Sequence, residues 1–148
     1  MSKFGEILDV VLDNFSRSAL WIGAVVHSQD SPFLVVLAAV YFPMEEWFTF
    51  LCNQLMAIQR NDKHWKAVDE QSTVPKWATI VFANGFKNIY GFFVVGSGWS
   101  LPFFYIVYHI GYTQWWVWML IAVSIPSRLY NTAICLYFQS KYMLNVDG

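Results

Sequence analysis

"FLVVLAAVYFPMEEWFTFLCNQLMA" occupies residues 33–57. As a helix it would be about 37 Å long at 1.5 Å per residue, more than the roughly 30 Å hydrocarbon core of a bilayer. Its only charged residues are Glu45 and Glu46, side by side at its middle. A charge at the centre of a membrane helix costs about 2.5–3.5 kcal/mol even on lenient insertion scales. Two adjacent acids there must be paired, face a water-filled cavity, or be held neutral.

The rest of the chain agrees with a membrane reading. Hydrophobic residues make up 57% of the 148 residues, aromatics 20% and charged residues 13%. Soluble domains carry about a quarter charged residues, and a small soluble chain lacks the interior volume for so many large side chains. The fold class is therefore all-α, a polytopic integral membrane helical bundle, with residues 1–148 forming a single membrane domain. The formal net charge is -1 and no Lys/Arg run occurs, which excludes a nucleic-acid partner. Cys52 and Cys135 each stand alone in apolar runs and read as small buried hydrophobes.

Working outward from 33–57, residues 2–28 read as an amphipathic helix. Phe4, Ile7, Leu8, Val11, Leu12 and Phe15 share one face, while Glu6, Asp9, Asp13 and Arg17 occupy the other. Its acidic polar face suits packing on protein, or a first span with that face turned inward, better than lying on anionic lipid. Residues 59–76 form a polar loop, 77–97 the next span, and "GSGWSLP" (96–102) a break. Residues 101–143 hold the last span and a terminal helix, and allow two divisions. The crossing runs either from Leu101 to about Ser124, or from Trp115 to Phe138 with Pro126 as a kink. The loop at 59–76 carries Arg60, Lys63, Lys66 and Lys76, whereas the 28–32 turn and the 96–101 break carry no Lys or Arg. That asymmetry favours four spans, three being the alternative, with both termini and the 59–76 loop on the cytoplasmic side. Trp21, Trp77, Trp99 and the Trp115, Trp116, Trp118 group are candidates for interfacial belts.

With spans at 33–57 and 77–97, Glu45 and Lys87 fall at the same depth. Glu46, Thr49 and Asn53 lie on a small, polar stripe of one helix, and Asn84, Lys87, Asn88 and Gly91 share a face of the next. The expected arrangement is a mid-bilayer polar layer of Glu45, Glu46, Asn53, Asn84, Lys87 and Asn88, with His109 on a separate face. Lys87 would pair with a glutamate, and partners on another subunit would neutralise the rest. A first span would add Asp13 and Arg17 as an i, i+4 pair near mid-depth, and the second division of the last third would add Arg128. No Ser/His/Asp arrangement, metal-ligand spacing or phosphate loop is present. Haem at His109 would need a second axial ligand on a facing helix, and neither His27 nor His64 is well placed for that.

The segment "FPMEEWFTFLCNQ" (42–54) resembles the P-x-E-E motif of the integral-membrane carotenoid (lycopene) cyclases, matching at Pro43, Glu45, Glu46, Trp47, Phe50 and Asn53. The resemblance implies a carotenoid or similar polyene ligand. Glu45 and Glu46 would then be acid/base residues beside an aromatic wall that stabilises a carbocation.

Size and the missing catalytic constellation lead instead to a non-catalytic subunit of a larger membrane assembly, or a homo-oligomeric membrane scaffold. Its partners would be membrane lipids and other membrane subunits or copies of itself. A small ion- or proton-conducting bundle is the alternative, and the cyclase-like enzyme the third. No cofactor beyond a lipid or carotenoid is indicated.

Overall fold

The structure, a computed structural model, describes residues 3–28, 33–51, 54–55, 75–83 and 87–144. Among these residues the regular structure is entirely helical: α1 (Lys3–His27), α2 (Phe33–Glu46), a π-helical turn (Trp47–Leu51), α3 (Lys76–Phe82), α4 (Ile89–His109) and α5 (Trp115–Leu144). Three helical stretches are long and apolar enough to cross a membrane: Phe33–Leu51, Ile89–His109 and Trp115–Ser140. Together they support a multi-pass membrane protein.

Side-chain contacts fix the helix directions. Trp47 donates to Ser18 at 3.0 Å and Trp21 packs on Phe42, so α1 and α2 are antiparallel. Trp99 donates to Ser16 at 2.9 Å, and Gly23 lies against Ile106, so α1 and α4 are parallel. Ser100 meets Ser124 at 3.0 Å and Tyr108 packs on Trp118, so α4 and α5 are antiparallel. The described chain ends, Lys3 and Leu144, therefore share one end of the bundle with α3 and the start of α4. The α4–α5 turn and His27 lie at the other end.

α1 turns a face of mixed polar and apolar residues inward, with Asp9 exposed and Glu6 and Asp13 partly so. Val10, Asn14, Arg17, Trp21, Ala24 and Ser28 are buried at alternating steps of four and three, while Phe4, Leu8, Leu12, Phe15, Ile22 and Val26 are exposed. The large apolar side chains on its outer face invert the pattern of a soluble helix.

Two expected boundaries are corrected. The 77–97 span is broken: α3 ends at Phe82, and Asn88 caps α4, its side chain accepting from Gly91 N at 2.9 Å and donating to Val81 O at 3.0 Å and Ala83 O at 2.7 Å. Asn is a strong N-cap because its carbonyl satisfies a free helix-end N–H. The "GSGWSLP" break does not form, since α4 runs unbroken through Gly96–Pro102. Glycine and proline end helices in water, but helices packed in an apolar medium keep their backbone bonds through such residues. The division of residues 101–143 is accordingly the second one, with α5 continuous through Pro126. α4 stops at Gly111, whose φ of +106° lets Tyr112 N reach back to Val107 O at 3.2 Å.

The purely apolar core lies toward the chain-terminal end. Val10, Phe50, Val81, Phe82, Val94, Ile134 and Phe138 pack together there, and Tyr130 donates to Trp77 O at 2.6 Å to hold α3 against α5.

Candidate functional site

Above that apolar core, at mid-length of the bundle, four helices converge on Glu45 and Glu46. Both glutamates end α2, just after Pro43, and both are buried at 5% and 1% exposure. The π turn that follows carries Thr49 and Phe50 to the same buried side, as a widened turn can do. Thr49 Oγ1 donates to Glu45 O at 2.8 Å, and Gln139 of α5 donates to Thr49 Oγ1 at 2.8 Å.

The counter-charges are two arginines, each at most 3% exposed. Arg128 of α5 forks between the acids: Nη2 lies 2.9 Å from Glu45 Oε2, and Nη1 donates to Glu46 Oε1. Arg17 of α1 donates from Nη1 to Glu46 Oε2 at 3.3 Å and lies 3.9 Å from Asp13. Neutral donors take up further carboxylate lone pairs. Asn131 reaches Glu46 Oε1 at 3.2 Å, Thr132 reaches Glu45 Oε2 at 3.1 Å, and Tyr41 reaches Glu45 Oε1 at 3.2 Å. With Asp13 half-exposed at the edge, the two buried carboxylates and two buried guanidiniums sum to zero formal charge within one chain.

Aromatic faces cover the cations. The Arg17 guanidinium sits 3.8 Å from the Trp99 ring centroid and 5.4 Å from Phe50, and Arg128 sits 4.4 Å from Phe42. Arginine suits this environment because its planar, weakly hydrated head both forks to carboxylates and stacks on rings. α4 contributes space. A Cβ on Gly98 would lie 2.9 Å from Glu46 Oε1 and 3.1 Å from Arg17 Cδ, so only glycine lets α4 approach this closely.

The structure brings some residues of the expected layer together and places others elsewhere. Glu45 and Glu46 are together at mid-depth, and the Asp13–Arg17 pair and Arg128 join them. Lys87 does not: it is exposed in the break before α4, at the bundle's end. The reason is the Asn88 cap, which starts the helix two residues after Lys87 instead of carrying it through. Asn88 serves that cap and not the charged layer. His109 is exposed at the last turn of α4, stacked on Tyr105 at 4.5 Å, and faces no interior. Asn53 and Asn84 lie outside the described residues. Trp99 is no interfacial anchor, since it covers Arg17 at mid-helix, and Trp21 is buried. The expectation that another subunit must neutralise the acids is replaced by pairing within the chain.

Asn131, Thr132, Tyr41 and Gly98 were not anticipated. The "SRLYNT" run (127–132) did carry a signal, with polar residues at i, i+3 and i+4 around Arg128 in an otherwise apolar helix.

A second polar line runs along α1. Both amide atoms of Asn14 and the Trp21 Nε1, together with Gln54 Oε1 and the Nε atoms of Arg17 and Arg128, are buried without a hydrogen-bond partner among the described residues. Gln54 Nε2 donates to Glu6 at 3.1 Å near the chain-terminal end. Among the described residues no group of histidine, cysteine and carboxylate side chains could hold a metal. No family model, no curated protein and no solved structure matches the chain.

Proposed function

We propose that the chain is a non-catalytic multi-pass membrane protein, a subunit of a larger membrane assembly or a self-assembling scaffold. Its Glu45–Glu46–Arg17–Arg128 core fixes how the helices meet. The observation that carries this reading is the closure of the core: each carboxylate is held by a guanidinium and by neutral donors of the same chain. A buried layer whose opposite charges are paired specifies register and partner helix, because any shift leaves a charge unpaired at a cost of about 3–5 kcal/mol. The same closure weighs against the cyclase-like role, in which a carboxyl must be free to give a proton to a polyene.

In this reading α1 is a fourth crossing. Both termini and the 59–76 loop face the cytoplasm, because Lys3, Lys76, Lys87 and Lys141 lie at that end, the loop sequence adds Arg60, Lys63 and Lys66, and residues 27–33 and 109–115 carry no Lys or Arg.

Native purification in mild detergent, with mass identification of what accompanies the chain, tests the assembly role. A stoichiometric partner or a defined homo-oligomer is expected, and a monomer alone would overturn it. A second reading, a proton- or ion-conducting bundle, draws on the unpaired buried polar atoms of Asn14, Trp21 and Gln54, which a file of waters could satisfy. Proteoliposome flux separates the two: flux lost in Asn14→Leu supports conduction, and no flux in the unaltered protein removes it.

A further inference from the structure

The outer side of α4 and α5 carries two adjoining apolar hollows of about 500 and 770 Å3. They share Phe93 and Ser127, so they form one groove. Its floor toward mid-helix is small: Gly96, Ser100 and Ser124. A Cβ at Gly96 would meet nothing within 4 Å. That glycine is not needed for helix packing, unlike Gly98, and a helix interior favours alanine over glycine. What it preserves is the hollow.

The other end of the groove has a different character. Lys76, Trp77 and Tyr90 line it, and Lys76 is exposed with no carboxylate partner among the described residues. A cation beside Trp and Tyr is the composition of the headgroup level of a bilayer. From Ile89 to Phe104 the groove follows fifteen residues of α4, about 22 Å, most of a roughly 30 Å hydrocarbon core. It is long enough to take an acyl chain, its wall is apolar, and its single charged side chain, Lys76, stands beside Trp77 and Tyr90 at one end. An unfilled hollow in hydrocarbon would forfeit dispersion contacts on one side.

We propose that this groove holds an acyl chain of one anionic glycerophospholipid from the leaflet at the Lys76 end, with the phosphate on the Lys76 ammonium. The test uses the full chain in mild detergent, with phosphatidylglycerol and phosphatidylcholine of identical acyl chains as probes, and native mass spectrometry as the readout. One phosphatidylglycerol should bind per chain, about fivefold better than phosphatidylcholine, as one lysine near an anionic headgroup provides. Lys76→Gln should erase that preference. Gly96→Leu should abolish binding of both lipids with an unchanged or higher melting temperature, because leucine is the better helix former. Equal binding of the two lipids by the unaltered chain would overturn the proposal, as would Gly96→Leu that still retains phosphatidylglycerol. A Gly96→Leu change that dissolves a dimer would assign the groove to a second copy and overturn it equally.

Discussion

Gly96 and Gly98 lie two residues apart on α4, and the same substitution should act on them with opposite sign. Alanine in a helix interior gains about 0.5–1 kcal/mol over glycine at either position. At Gly96 the added methyl meets nothing within 4 Å, so the gain stands. At Gly98 the methyl would come within 2.9 Å of Glu46 Oε1 and 3.1 Å of Arg17 Cδ. The end of a glutamate side chain usually yields easily, but this one is held by Arg17, Arg128 and Asn131. Moving it loosens charge-assisted bonds, and holding it overpacks the site. Overpacking of this kind costs about 1–3 kcal/mol. The propensity gain is common to both variants, so the difference between them isolates the contact at about 1–3 kcal/mol. That is roughly a 5- to 150-fold difference in the folding equilibrium, at tenfold per 1.4 kcal/mol. Unfolding free energies from SDS titration in mixed micelles would measure it. Gly96→Ala and Gly98→Ala agreeing within about 0.5 kcal/mol would refute the placement of α4 against the charged core.

Two further outcomes follow from single contacts. Thr49→Val keeps the shape of the π turn but leaves the Gln139 amide without its acceptor, and should cost about 1–3 kcal/mol in the same titration. Asn88→Ala removes the α4 cap and both bonds to the end of α3. It should cost about 0.5–2 kcal/mol and speed amide exchange at Ile89–Gly91, with no change at Glu45 or Glu46.

Much of the architecture is legible in the residues themselves. Hydropathy and the two central glutamates point to a helical membrane bundle. Lys87 shows where that reasoning fails. The apolar run from Trp77 sets its expected depth, and that run conceals a helix end at Phe82. Asn88 before "IYGFFVV" is a capping signal that hydropathy outweighs. The opposite error occurs at "GSGWSLP", where residues that break helices in water lie within one. There Gly98 makes room for a carboxylate contributed by a helix 52 residues earlier in the chain. Such a requirement is set by tertiary contact, so no local pattern announces it. Arg17 and Arg128 were visible as charges, but their convergence depended on α1 and α5 both running the length of the bundle.

The central claim is that Glu45 and Glu46 are neutralised by Arg17 and Arg128 of the same chain. A double-mutant cycle of Glu46→Gln and Arg128→Met, read as unfolding free energy, tests it most directly. Arg128→Met leaves a core charge of -1 and Glu46→Gln one of +1, and together they restore zero. Each single change should cost about 3–5 kcal/mol, as breaking a buried pair does. The pair should fall short of the sum by at least about 2 kcal/mol, within the range for contacting residues. Additivity within about 0.5 kcal/mol would contradict the account.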